Sequence, residues 1–432
     1  MLVESWLARA ARTRPGTIAL HGEGGALGYA ELDGAATRAA RALSALGVRS
    51  GDRVALALPA DTSFVVALHG AMRLGAVAVP VDLRLTASER ATRIAGCAAV
   101  VDAPLHGEED AGAALLETHD LDAAAIVVHT SGTTGAGRPV ALTYGNWLWS
   151  ALGSAVALGL DRDERWLCTL PLSHVGGLSI LLRSTIYATT AVLHDGFDAA
   201  RVIRALDGDG DGAATLVSVV PTTLARLLDA GLHEPPALRA ALVGGGPIPP
   251  ALLARACAAG VPCVTTYGLT EACSQVTTGG PPLFCTRVRI AGDGEILVAG
   301  PTVAPWSLGT DGWLHTGDLG EVDEHGHLTV TGRAADTIVT GGENVAPAEV
   351  EAVLAEHPAV VDVAVHGVPD EQWGERVVAT IVRRSGETAT PDELAGYCRV
   401  RLARYKVPKE FRFSLDLPRT QSGKLLRRDL EE

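Results

Sequence analysis

Ten residues hold the densest chemistry in the chain: Thr130-Ser131-Gly132-Thr133-Thr134-Gly135-Ala136-Gly137-Arg138-Pro139. Hydroxyls, glycines and one cation share this stretch, directly after an apolar run, Ala123 to Val128, that reads as a buried strand. Glycine lets a backbone come close to a ligand, and exposed N–H groups beside hydroxyls can surround phosphate oxygens. A second cluster, Tyr267-Gly268-Leu269-Thr270-Glu271, follows the apolar strand Val261 to Val264, and Gly244-Gly245-Gly246 upstream offers another close backbone approach. Thr316-Gly317-Asp318 supplies a carboxylate suited to accept from hydroxyls, and Gly332-Arg333 a donor. His174 lies in Leu170-Pro171-Leu172-Ser173-His174-Val175-Gly176-Gly177-Leu178-Ser179. Arg183 follows within the otherwise apolar Leu178 to Ile186, where an arginine needs an anionic partner or an exposed face. Lys424 sits in the tail stretch Pro418-Arg419-Thr420-Gln421-Ser422-Gly423-Lys424-Leu425.

The elements that must position these groups alternate. Ala30 to Leu46 reads as a helix, Arg53 to Leu58 as a strand, Ser63 to Leu74 as a helix and Ala76 to Val81 as a strand. The rhythm resumes after the glycine loop, with strands at Ala191 to Leu193 and Leu216 to Val220 and a helix at Pro249 to Ala259. Alternation of this kind predicts α/β layers with parallel pairing. Strands at Gly294 to Ala299 and Gly326 to Thr331 mark a β-rich segment. After Gly332-Arg333-Ala334-Ala335-Asp336 comes an α+β stretch: helix Pro347 to Glu356, strands Val361 to Val368 and Arg376 to Arg383, helix Pro391 to Leu402. The expected organisation is a multi-layer N-terminal α/β domain with a β-rich lobe over 1–333, a hinge at 334–336 centred on Ala335, and a small mobile α+β domain over 337–432.

The spacing of Gly132, Gly137 and a cation superficially fits a Walker phosphate loop. Arg138 replaces its lysine, and Pro139 stands where Ser or Thr would hold magnesium, so that reading is disfavoured. The string instead resembles the phosphate loop of the adenylate-forming enzymes (acyl-CoA synthetases, peptide-synthetase adenylation domains and luciferases), T-S-G-[ST]-T-G-x-P-K-G, with Gly137-Arg138-Pro139 in place of P-K-G. Five elements match in family order from residue 130 to residue 424. The resemblance implies that Thr130, Ser131, Gly132, Thr133, Thr134, Gly135 and Arg138 contact the phosphates of ATP. It likewise implies an adenine slot of Gly244, Gly245, Gly246, Tyr267 and Gly268, with Thr270 touching phosphate and Glu271 holding Mg2+. Asp318 and Arg333 would recognise ribose, and Lys424 would be the catalytic lysine of adenylation. A cation at a developing negative charge on phosphorus lowers the barrier. Gly341 and Gly342, in Thr340-Gly341-Gly342-Glu343-Asn344, would line the thiol tunnel after domain rotation, and His174 would border the carboxylate pocket.

The wording of residues 171–198, Ala241 to Pro247 and Tyr267 to Gln275 resembles the o-succinylbenzoate–CoA ligases of menaquinone synthesis. That implies an acid with a second carboxylate, which the Arg183 fork would bind, with Ser274 and Thr278 as polar pocket lining and Ser218 and Thr222 as weaker candidates. Coenzyme A as acceptor rests on the resemblance. Another aryl- or acyl-CoA ligase, an adenylation enzyme loading a carrier protein, and a nucleotide-binding protein without turnover are the alternatives.

Composition sets the bounds. At 432 residues with 47% hydrophobic content, the chain supports two or three domains with their own cores. A net charge of −14 with no basic block argues against nucleic acid or an anionic membrane as partner. Seven scattered cysteines without a C-x-x-C pair point to a reduced, cytoplasmic protein rather than a disulfide framework or a zinc site. The N-terminal MLVESWLARAARTRPG carries Glu4 and arginines in its apolar stretch and reads as no secretory signal. A homo-oligomer is compatible with all of this. The run Asp207-Gly208-Asp209-Gly210-Asp211-Gly212 lacks the ligand order of a calcium loop and reads as a solvated loop.

Overall fold

The computed structural model describes residues 1–130, 138–208, 212–419 and 425–430. Its largest sheet has eight strands in the order Ser274–Thr278, Cys263–Leu269, Ala240–Val243, Leu216–Val219, Arg165–Cys168, Thr190–Leu193, Ile18–Gly22 and Gly25–Gly28. The six inner strands run parallel, and the two edges are antiparallel hairpin partners. A second sheet of five strands orders Ala99–Val101, Arg53–Leu56, Val77–Pro80, Ala124–His129 and Pro139–Thr143, with only the last antiparallel. Most inner strands are short and apolar on both faces, as parallel strands covered by helices must be.

One core joins the two sheets through the helices Trp6–Thr13, Tyr29–Ala45, Thr62–Leu74, Tyr144–Leu158 and Val175–Tyr187. The helices Ala199–Asp207, Pro221–Asp229 and Pro250–Ala258 cover the far face of the eight-stranded sheet. Tyr29–Ala45 and Thr62–Leu74 approach so closely that a Cβ on Gly70 would stand 2.7 Å from the Ala39 Cβ. A four-stranded antiparallel sheet follows: Arg287–Ile290, Glu295–Ala299, Leu314–Val322 and Leu328–Arg333. A 3-10 turn at Ala334–Asp336 leads to the last sheet, in which Ile338–Thr340, Glu343–Val345, Val360–Asp370, Gly374–Arg383 and Glu410–Ser414 pack against Pro347–Ala355 and Pro391–Arg399 over a separate core. The large α/β part and the small α+β part expected from the alternation are both present. No helix among the described residues is long and apolar enough to cross a membrane. No group of three or more metal-ligating side chains occurs among them, and Asp209, Gly210 and Asp211 lie outside them.

One strand differs from its expectation. The apolar run Val261 to Val264 was to end before Tyr267, yet the strand is Cys263–Leu269 and includes both Tyr267 and Gly268. Thr265, Thr266 and Tyr267 are strong strand formers, and pairing with Ala240–Val243 on one side and Ser274–Thr278 on the other extends the strand past its apolar part.

Beneath the helical layer, His119 stacks on Tyr144 with ring centroids 4.3 Å apart, and Trp6 meets both edge-on. His69 and His119 are buried, and burial lowers their pKa values to about 4 and about 3. Both stay neutral in the fold while unfolded histidine protonates below about 6.5. Stability is therefore complete above that value and declines as pH falls from there towards the folded-state values. At pH 5 each histidine should account for roughly 2 kcal/mol of lost stability. Urea midpoints at pH 7 and pH 5 check this: His119→Phe should shrink the drop, and an equal drop in both proteins would refute it.

Candidate active site

The site begins where the extended strand Cys263–Leu269 turns back. Its pairing with Ser274–Thr278 shifts register between Tyr267 and Gly268, and Thr270–Ala272 forms a single 3-10 turn. Cys273 (φ 52°) and Ser274 (φ 91°) then both adopt the left-handed region, which non-glycine residues rarely enter. Gly268 is required by this turn, because a Cβ there would sit 1.7 Å from the Ser274 carbonyl oxygen. Gly244, past the end of strand Ala240–Val243, is crowded by Thr266 at 2.6 Å, and Gly245 has φ +81°. A Cβ on Gly246 would meet nothing within 4 Å. The glycine trio thus fixes a backbone turn and leaves open space beyond it.

Asp318 and Arg333 face each other directly across the antiparallel pair Leu314–Val322 and Leu328–Arg333. Cross-strand opposition explains their bond, Arg333 Nε to Asp318 Oδ1 at 2.7 Å. The Tyr267 hydroxyl donates to the other oxygen, Asp318 Oδ2, at 2.8 Å. Burial, with the Asp318 charge adding to it, raises the Tyr267 pKa and keeps the phenol protonated as a donor. Thr316 Oγ1 accepts from the Asp318 N–H at 3.0 Å and donates to the Ile296 carbonyl at 2.7 Å, which fixes the carboxylate-bearing bulge. A carboxylate held at both oxygens keeps further lone pairs for a vicinal diol.

The neck of the glycine-rich loop is closed by Thr130 and Arg138. The Thr130 N–H donates to the Arg138 carbonyl at 3.0 Å, and the Arg138 N–H to Thr130 Oγ1 at 3.3 Å. From there the Arg138 guanidinium reaches the 3-10 turn and pairs with Glu271, Nη2 to Oε1 at 2.9 Å. Ser131, Gly132, Thr133, Thr134 and Gly135 lie outside the described residues, as does Lys424.

His174 is the N-cap of helix Val175–Tyr187, without capping through its ring. Burial lowers its pKa, while the Asp82 carboxylate pulls the other way. Asp82 is itself held by Arg84 through two bonds, at 2.7 and 2.6 Å. Nine residues along the helix, roughly 13 Å by helical rise, is Arg183. The exposed-face alternative fails there, since Arg183 is 3% exposed. Its guanidinium donates to Ser150 Oγ at 3.0 Å and lies 5.6 Å from the centre of the Trp166 ring. Burial lowers its pKa, and the groups that face it are Tyr187 and Cys273, not a carboxylate. Its Nε has no partner among the described residues. Ser150 Oγ passes a bond on to the Cys273 carbonyl at 2.7 Å, so Arg183 stands behind the strained turn that presents Ser274. A buried cation facing only neutral groups is poised for an anion. Ser218 is occupied by the Trp166 indole N–H at 3.0 Å. Thr278 accepts from Gln275 at 2.9 Å and donates to the Thr277 carbonyl, so its hydroxyl is engaged within the strand. Thr222 lies in the helix Pro221–Asp229.

Asp82, Arg84, Ser150 and Trp166 escaped the sequence reading. Ser150 and Trp166 act on Arg183 and Asp82 on His174, all far along the chain, while Arg84 acts only through its neighbour Asp82; single loop acids, helix serines and strand tryptophans carry no local signature.

Comparison with known proteins gives the chain its family. The family model described as AMP-binding enzyme matches residues 7–306, and the one described as AMP-binding enzyme C-terminal domain matches 349–424. The 2-succinylbenzoate–CoA ligase of Listeria monocytogenes is 37% identical, over 99% of both chains. Among solved structures, the o-succinylbenzoate CoA synthetase of Bacillus subtilis with the acyl-adenylate intermediate OSB-AMP is similar at a TM-score of 0.92 and 36% identity, covering 100% of this chain and 99% of that one. The same synthetase in complex with ATP and a magnesium ion also gives 0.92 at 36% identity, with 100% of both chains covered.

Proposed function

The chain belongs to the AMP-binding enzyme family, and from that membership we propose an ATP-dependent ligase that converts o-succinylbenzoate first to its acyl-adenylate and then to its CoA thioester. The observation that carries the choice of acid is the buried Arg183 guanidinium, which faces no carboxylate of its own. A substrate with a second carboxylate supplies one. His174 and Arg183 stand roughly 13 Å apart along the helix axis, and in this reading His174 borders the reacting end and Arg183 the distal end.

The nucleotide fits the groups present. Asp318, aligned by Tyr267 and Arg333, accepts from the ribose hydroxyls. Gly244, Gly245 and Gly246 give the adenine its open edge, and Thr130, Thr270 and Arg138 surround the phosphates with the loop between 130 and 138. Glu271, a hard oxygen donor beside the loop neck, suits Mg2+. The ion supplies charge neutralisation on the phosphate oxygens when bound. Asp318→Asn should raise the KM for ATP about tenfold, the value of one charge-assisted hydrogen bond, while the KM for the acid stays put. A parallel rise in both constants would take Asp318 out of ribose recognition.

Residues 1–333 form the adenylation core in this reading, 334–336 the hinge and 337–432 the mobile domain. Gly341 (φ 61°) and Gly342 (φ 83°) make the tight turn between Ile338–Thr340 and Glu343–Val345, and the Gly341 N–H donates to the Trp373 carbonyl at 2.8 Å. In this reading that turn lines the thiol tunnel after rotation. The seven cysteines are free thiols, in keeping with a cytoplasmic enzyme. Pyrophosphate release with ATP-Mg, CoA and a panel of o-succinylbenzoate, benzoate, fatty acids and amino acids, with mass spectrometry of products, tests the whole. A thioester formed with o-succinylbenzoate alone is the expected result. Turnover of a different acid overturns the substrate, and pyrophosphate without thioester overturns CoA as acceptor.

A further inference from the structure

Arg138 precedes the strand Pro139–Thr143, Glu271 lies in the 3-10 turn Thr270–Ala272 and the two are 133 positions apart, yet the loop cation lies on the carboxylate assigned to the metal, at 2.9 Å. The guanidinium holds one oxygen, Oε1, and a divalent cation on the same carboxylate is repelled by it, so each weakens the other's hold.

The backbone of Arg138 is not what moves. Thr130 holds it by the two neck hydrogen bonds, and the next residue, Pro139, pairs with His129 at the start of strand Pro139–Thr143. Proline also confines the residue before it to extended conformations. In the usual family order, P-K-G, the cation is followed by glycine. Here the order Gly137-Arg138-Pro139 moves the constraint to the cation's C-terminal side. The base of the side chain is therefore fixed while its end is free: the Arg138 side chain is 68% exposed and that of Glu271 only 16%. An ion pair this open to water is held weakly and is readily exchanged. Thr130, bonded to Arg138, and Thr270, beside Glu271, are the proposed phosphate contacts that flank this pair.

We propose that Arg138 is a positioning residue that occupies the metal carboxylate in the nucleotide-free enzyme and is handed over to the triphosphate when ATP arrives. Free divalent cation is thereby kept off Glu271, and the nucleotide opens its own metal site by drawing the arginine away. Metal and Arg138 compete, whereas metal and ATP assist each other, and linkage requires that assistance to be reciprocal. The inference rests on the ATP-dependent reading above.

Direct Mn2+ binding, followed through the electron paramagnetic resonance signal of the free ion, tests it without turnover. Nucleotide-free Arg138→Gln should bind Mn2+ about three- to tenfold more tightly than the unaltered protein, since a weak competing ion pair has been removed. Arg138→Lys should match the unaltered protein, and adding Glu271→Gln to Arg138→Gln should abolish the gain. The same Arg138→Gln protein should show a higher KM for ATP, so one substitution moves metal and nucleotide affinity in opposite directions. Unchanged or weaker Mn2+ binding in Arg138→Gln overturns the proposal. The two readings fail separately. If the acid panel is silent while the Mn2+ gain is present, the substrate reading falls and the exchange stands; if turnover occurs and Mn2+ binding is unmoved, the exchange falls.

Discussion

Lys424→Ala should abolish most adenylate formation, by about 10²- to 10³-fold, while thioester formation from supplied adenylate and CoA stays within about threefold of normal. The reasoning starts from the flanks of Lys424. Arg419 and Leu425 bridge across the segment that contains it. Just beyond, Arg427 binds Asp336 at 2.8 Å, Glu351 at 2.7 Å and the Val365 carbonyl at 3.0 Å. Leu417 and Leu430 bury against Ala364. The described residues on both sides of it are thus fastened to the small α+β part, which in the proposed reading carries the lysine with it. A cation needed at phosphorus in the first step and absent from the second fits a domain that turns between steps. Half-reaction assays on the one variant decide this, and equal loss in both halves would refute the assignment.

Arg183→Met should raise the KM for o-succinylbenzoate at least about 30-fold and leave the kinetics of benzoate analogues nearly unchanged, because a buried charge pair loses one partner. Methionine keeps much of the apolar contact with Trp166, so packing loss does not confuse the outcome. Arg183→Lys separates charge from geometry. If the fork matters, lysine recovers only part of the affinity. A KM that does not move in Arg183→Met would show that this cation serves the fold instead of the substrate.

Much of the site was legible because its residues sit in contiguous strings. Tyr267 through Glu271, and Thr130 through Pro139, carry their spacing in the sequence. Asp318 and Arg333 were legible as types, but their bond depends on hairpin register, which the turn at Asp323 to His327 sets and composition does not reveal. Arg183 was ambiguous for a physical reason: helix periodicity says that a residue faces inward, not whether a partner waits there. Its attachment to Ser150 and Trp166 joins three elements that meet only after folding. The extension of strand Cys263–Leu269 was missed for the same cause, since pairing on both sides overrode the polar sequence.

The phenol bond and the Arg138–Glu271 ion pair of the site also join different parts of the fold. Tyr267 on the eight-stranded sheet holds Asp318 on the four-stranded one, and Arg138 at the five-stranded sheet holds Glu271. The groups that we assign to the nucleotide are therefore rivets of the tertiary structure as well. In a living cell, variants at Asp318 or Tyr267 will be cleared by the quality-control proteases faster than the unaltered protein, and their steady-state level will fall along with their catalysis. A growth screen would score both losses as one, so allele strength at these positions overstates the chemical defect until protein abundance is measured beside it.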